Sequence, residues 1–287
     1  MKNPKLLFIV VLGAVFSVGC NKPGKGETAY SRARAAFKTT LLLKGPSPQP
    51  PEPVTVPEGV DQIEYRSGPH RLKAWIAPAA TPGKQPAVLF LHGGFAFGND
   101  DWEMAQPFRE AGFAVMVPIL RGENGQPGSF SMFYDELDDV LAAATHLSAQ
   151  PFVDPAKVYI AGHSVGGTLT LLAAQTSRQF RAAASFSASP NQRSALDSGW
   201  DKLAPFDVMN EEEVRMRSPL AFAESFTCPV RIYFGTGEPF FAADSAETAR
   251  VARARALDVE SLAVPGDHFT AVPAELALAI AFFRSQR

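Results

Sequence analysis

Cysteine is almost absent from this chain: there are two in 287 residues, Cys20 and Cys228. A single pair cannot make a disulfide framework. Metal-ligand spacing is missing as well. The histidines are His70, His92, His146, His163 and His268. They form no H-E-x-x-H, and no C-x-x-C accompanies them, so no metal is expected. No cofactor is expected either. Charge of one sign is lacking, with 27 Lys and Arg against 29 Asp and Glu, a net charge of −2 and a pI near 6.2. There is no basic stripe, so nucleic acid is not an expected partner. The densest basic run, Arg250 to Arg255, falls on a predicted helix and reads as a solvated face. What is present is an ordinary globular composition, 46% hydrophobic and 20% charged. That supports a large core in a single large domain.

The N-terminus reads as an address. Lys2 and Lys5 precede a charge-free, mostly apolar run from Leu6 to Val18. The run is shorter than the roughly 20 residues of a membrane span and fits the h-region of a signal peptide. Ser17-Val18-Gly19-Cys20 resembles a bacterial lipobox, with Ser17 where Leu is usual. The resemblance implies a signal peptide over 1–20, lipidation of Cys20, export and attachment to a membrane surface. Thr28 to Leu43 is expected to be a short helix. Pro46 to Pro57 holds six prolines, Pro46, Pro48, Pro50, Pro51, Pro53 and Pro57, and is expected to be an extended, semi-rigid linker. Residues 21–59 are therefore read as a tail and linker, and 60–287 as the folded domain.

Within that domain, strands and helices alternate. Strands are expected at Val60 to Tyr65, Leu72 to Ala77, Ala87 to Leu91, Ala114 to Leu120, Val158 to Ala161, Ala182 to Ser187, Val230 to Phe234 and Ser261 to Val264. Helices are expected at Trp102 to Gly112, Tyr134 to Gln150, Thr168 to Gln175, Ala243 to Leu257 and Pro273 to Arg284. Continuous apolar strands such as Ala87 to Leu91 suit a sheet buried on both faces. The fold class is therefore α/β, a mainly parallel sheet with helices on both sides. Ligands of such sheets sit beyond the carboxyl ends of the strands.

The chemistry-bearing residues fall at that edge. Val158 to Ala161 runs into Gly162-His163-Ser164-Val165-Gly166 and then a helix. This is the context of a nucleophile elbow, where a serine hydroxyl projects from a tight strand-to-helix turn. A serine needs a general base, and the base needs an orienting acid. His268, in the loop after the last strand, is the candidate base. Glu238, in Gly235-Thr236-Gly237-Glu238, is the candidate acid, with Asp244 a rival from the same region. A tetrahedral oxyanion needs fixed donors. The N–H of Val165 is one, and the N–H of Gly94 or Phe95, after His92-Gly93, is the other. His92 and His163 read as hydrogen-bonded braces. Phe95, Phe97, Phe130, Phe133, Phe240, Phe241 and Phe269 either line an apolar pocket or pack the loops. Pro190 to Phe226 is too short for a large lid.

With these residues in place, the chain resembles the α/β-hydrolase superfamily from about Val60 onward. The closer likeness is to prolyl-oligopeptidase and dipeptidyl-aminopeptidase catalytic domains and their acetyl-esterase and dienelactone-hydrolase relatives. It is carried by His92-Gly93-Gly94, Pro118-Ile119-Leu120-Arg121-Gly122, Asp154-Pro155, Gly162 to Gly167, Ser218-Pro219-Leu220, Cys228-Pro229-Val230 and Gly235 to Glu238. The resemblance implies a serine hydrolase with Ser164 as nucleophile, Glu238 as acid and His268 as base. The family usually has Asp where Glu238 stands, and no propeller domain is expected in a chain of this length. The substrate is then expected to be a small ester, with a short peptide as the alternative. A non-catalytic binding protein on the same fold is the third reading.

Overall fold

The computed structural model describes residues 27–80 and 82–286. The expected signal peptide and Cys20 lie outside the described residues. Eight strands form one sheet: β1 (Asp61–Ser67), β2 (His70–Ala77), β3 (Gln85–Leu91), β4 (Ala114–Pro118), β5 (Val153–His163), β6 (Ala183–Phe186), β7 (Val230–Gly235) and β8 (Val259–Val264). Their order across the sheet is β1-β2-β4-β3-β5-β6-β7-β8. β1 pairs with β2, and β2 with β4, antiparallel. The other neighbours, from β4 to β8, are parallel.

Among the described residues eight α-helices accompany it: α1 (Ala29–Ala36), α2 (Asn99–Glu110), α3 (Glu136–Ser148), α4 (Val165–Thr176), α5 (Gln192–Asp197), α6 (Glu211–Arg215), α7 (Pro239–Arg253) and α8 (Val272–Ser285). The pleat divides the core into two layers. In β3, Ala87, Leu89 and Leu91 face the layer shared with α3, α4 and α7. Val88 and Phe90 face the opposite layer, where Trp102 and Phe108 of α2 meet Phe282 and Phe283 of α8. Every residue of β4 is buried, as a strand covered on both faces must be. The expected α/β architecture is the one found.

The main differences lie at the N-terminal side. The helix expected over 28–43 stops at Ala36. Beyond it the Thr40 N–H and the Thr39 hydroxyl donate to Glu213, each at 2.7 Å, which draws the chain out of helical geometry. Nor does the segment before residue 60 stand apart from the domain as a linker would. Tyr30 is fully buried and its hydroxyl donates to the Met216 carbonyl at 2.7 Å. The proline-rich stretch is tied to the domain at two ends. Phe130 N–H donates to Gly45 O and Ser47 N–H to Gly122 O, both at 2.9 Å. Further on, Asn99 exchanges two hydrogen bonds with the Thr55 backbone. Residues 28–55 thus belong to the same packed body as the sheet. α7 starts at Pro239, four residues before its expected start, because proline suits the first helical turn.

Candidate active site

Ser164 lies between the end of β5 and the start of α4, at φ 54° and ψ −115°. A non-glycine residue in that region costs about 1–3 kcal/mol and persists only where its surroundings enforce it. Here the enforcement is visible. The Ser164 N–H donates to Phe186 O at 2.8 Å, and Thr168 N–H donates to Ser164 O at 3.1 Å. A side chain at Gly162 would strike the Gly166 carbonyl, and one at Gly166 would strike the Leu91 carbonyl. The two glycines let the elbow close against the loop after β3. Val165 is the first residue of α4, so its N–H lies among the unpaired donors of a helix N-terminus.

His268 and Glu238 meet directly. His268 Nδ1 and Glu238 Oε1 are 2.6 Å apart. The other carboxylate oxygen, Oε2, accepts from the Ser187 hydroxyl at 2.6 Å and the Gly235 N–H at 2.8 Å. Three donors therefore hold a nearly buried carboxylate in one orientation. Asp244, the rival, is elsewhere: its Oδ1 accepts from Asn191 at 3.3 Å. Ser187 escaped sequence reading. It sits at φ 46° just after β6, with its N–H on Tyr233 O, repeating at the next strand the geometry of Ser164. The loops after β7 and β8 are stitched together by Thr236 N–H to Val264 O and Gly237 N–H to Gly266 O. Among the described residues no hydrogen bond joins Ser164 Oγ to His268. Such bonds are often long before substrate binds.

The two flanking histidines act as braces, one neutral and one charged. Burial, and then the neighbouring His268, push His163 down to about 4, so its ring is neutral at pH 7. Its Nε2 lies 2.8 Å from the His268 carbonyl and donates to it as the Nε2–H tautomer. Its ring is 4.6 Å from that of His268, and Nδ1 faces Gly93. One neutral ring therefore props both His268 and the loop after β3. Burial disfavours charge on His92 too, but the Glu123 carboxylate at 2.9 Å outweighs it and lifts His92 to about 10. His92 Nδ1 donates to Gly93 O at 2.9 Å, and Glu123 also accepts the Leu120 N–H at 3.0 Å. The pair locks the loop after β3 onto the loop after β4.

Gly94 lies in that loop at φ 63°, a conformation glycine adopts without strain. The Phe95 ring is buried against Phe130, Phe133 and Trp200. Its N–H is not free: it donates to Gln49 Oε1 at 2.9 Å. The aromatic residues at this edge divide into two sets. Phe95, Phe97, Phe130 and Phe133 are buried and pack loops. Phe240 and Phe269 are exposed, and Phe241 and Phe269 lie 5.9 and 5.1 Å from the His268 ring. Phe269 also borders an apolar groove of about 440 Å³ between α2 and α8.

The prolyl oligopeptidase family model matches residues 99–238, which include the elbow and the Glu238 loop. Over that stretch, just under half of its length, the chain is similar to the prolyl oligopeptidase family. An uncharacterised peptidase of Bacillus subtilis, YtmA, is 31% identical over 117 residues, 39% of this chain and 44% of that protein. A puromycin-hydrolysing peptidase of Mycobacterium tuberculosis superposes with a TM-score of 0.69 at 23% identity, covering 79% of this chain and 40% of that one. An esterase of Pyrobaculum calidifontis gives 0.65 at 17% identity, covering 82% and 87%. These superpositions establish a shared fold. The chain spans less than half of the peptidase relative it matches by sequence.

Proposed function

We propose that this chain is a serine hydrolase working through an acyl-enzyme, with Ser164 as nucleophile, His268 as general base and Glu238 as the orienting acid. The observation that carries the reading is the 2.6 Å Glu238–His268 bond, beside a strained serine at the elbow. Glu238 accepts at Nδ1 and leaves Nε2 of His268 to take the serine proton. Ser164 Oγ then attacks the acyl carbon. The N–H groups of Val165 and of Gly94 or Phe95 hold the oxyanion. Collapse expels the leaving group, protonated by His268, and water repeats the cycle to release the acid. We assign a small carboxylic ester as substrate. The Phe241 and Phe269 rings beside His268 and the segment lying over the Phe95 N–H favour a compact, partly apolar acyl group. The family match to prolyl oligopeptidases and the likeness to YtmA favour a short peptide as the second reading.

Labelling by a fluorophosphonate tests the mechanism. It should be stoichiometric at Ser164 and lost in Ser164→Ala. A correctly folded protein that takes no label would instead be a binding protein on this fold. Turnover of p-nitrophenyl acetate without release of aminoacyl naphthylamides separates ester from peptide, and the reverse pattern would overturn the ester assignment. Export with a lipid at Cys20 is proposed from the leader alone. It requires fatty-acid labelling that disappears in Cys20→Ala.

A further inference from the structure

The segment of residues 45–55 crosses the oxyanion edge of the site as a strap. It is pinned at Gly45 and Ser47 on one side and at Thr55 on the other. Between these anchors, Pro48, Pro50, Pro51 and Pro53 contribute no N–H, so no ladder can hold the chain there. Gln49 lies in the middle and is exposed to solvent; its backbone carbonyl accepts the Ser47 hydroxyl at 3.3 Å, and its side-chain Oε1 accepts the Phe95 N–H at 2.9 Å. A Cβ on Gly94 would come within 2.7 Å of the same oxygen. Gly93, next in the loop, comes close to the Ser164 side chain: a Cβ there would lie 3.7 Å from Ser164 Cβ. The carboxamide oxygen therefore rests on a donor expected to receive the carbonyl oxygen of a substrate.

Resting on the reading of Ser164 as nucleophile, we propose that Gln49 is an internal competitor for the oxyanion subsite. Its planar amide stands in for a substrate carbonyl, and an incoming ester or amide must displace it. The side chain can swing into solvent while the strap stays anchored. Gln49 would thus set the threshold for substrate binding without touching the reacting atoms. A site whose competent form is only partly populated shows weakened apparent affinity in proportion, with an unchanged rate once filled.

Three forms of the full chain test this: wild type, Gln49→Ala and Gln49→Glu. The assays are p-nitrophenyl acetate kinetics and the rate of fluorophosphonate labelling at Ser164. A neutral hydrogen bond of ordinary net strength predicts a KM about three- to tenfold lower in Gln49→Ala, with kcat unchanged. Gln49→Glu presents a charged acceptor to the same N–H, so its KM should rise above wild type. A merely structural glutamine would move both variants in one direction. Equal labelling rates for wild type and Gln49→Ala overturn the competitor while leaving the hydrolase reading intact. Slower labelling of Gln49→Ala also overturns it, because Gln49 would then be helping the site. Label on Gln49→Ala but not on wild type supports it in its strongest form. Absence of label on all three folded proteins removes the hydrolase reading, and the competitor with it.

Discussion

Glu275→Gln should abolish a pH dependence of stability that arises behind the active site. Glu275 lies in the first turn of α8, fully buried, and among the described residues neither carboxylate oxygen has a hydrogen-bond partner. Burial, and then the charge of Glu238, lift it from 4.5 to about 8. Ser187 is near enough to ease this, but its hydroxyl is committed to Glu238. At pH 7 the side chain is therefore a neutral acid in the folded state and a carboxylate in the unfolded chain. For an acid with a raised folded value, stability is unimpaired below 4.5. It is lost as pH climbs from there towards 8 and stays constant beyond. At about 1.4 kcal/mol per unit, wild type loses on the order of 3–4 kcal/mol between pH 5 and pH 8 through this one group. Glutamine keeps the shape and cannot ionise. The two proteins should match within about 1 kcal/mol at pH 5, because an unpartnered amide and an unpartnered acid cost similar amounts. At pH 8 the variant should be the more stable by several kcal/mol. Urea unfolding at pH 5, 6.5 and 8 measures this directly. A wild-type-minus-variant difference that stays flat across those three pH values would refute the reasoning.

Other perturbations separate the roles assigned above. Glu238→Gln should lower kcat by about 10³–10⁴ through loss of the correct His268 tautomer, whereas Asp244→Asn should leave it within about twofold, both read in an esterase assay. Ser164→Gly should be more stable than Ser164→Ala by roughly 1 kcal/mol, since both abolish turnover but only glycine relieves the positive φ; denaturant midpoints check it. Arg217 is fully buried, on Glu213 at 2.6 Å and on the Ser131 and Met132 carbonyls. Arg217→Met should destabilise by about 3–5 kcal/mol because Glu213 is left buried without its partner, seen as a lower urea midpoint.

The sheet and the elbow were legible because their signals are local. Short apolar runs and the turn signals between them placed all eight strands, and Gly162, Ser164 and Gly166 encode their own steric solution within five residues. His268 was legible by position, since the loop after the last strand has one histidine. The choice between Glu238 and Asp244 was not settled by pattern, yet Pro239 held a clue. A proline in the first helical turn starts α7 there, which fixes Glu238 as its N-cap and carries Asp244 into the helix. The contacts that escaped are those joining distant parts of the chain. Ser187 reaches Glu238 across 51 positions, and Gln49 reaches Phe95 across 46. No periodicity announces either, because each depends on how close two loops come once the sheet has formed. The same cause misled the reading of residues 28–55. A helix was expected to continue to Leu43, and proline content favoured an extended, semi-rigid linker. Glu213, 173 residues beyond Thr40, and the Gly122 and Phe130 backbone supplied partners that neither local rule includes. A stretch read as a linker from its own composition was therefore drawn to the site by its tertiary neighbours, and the side-chain contact of Gln49 falls on the loop where the proposed reaction would develop charge.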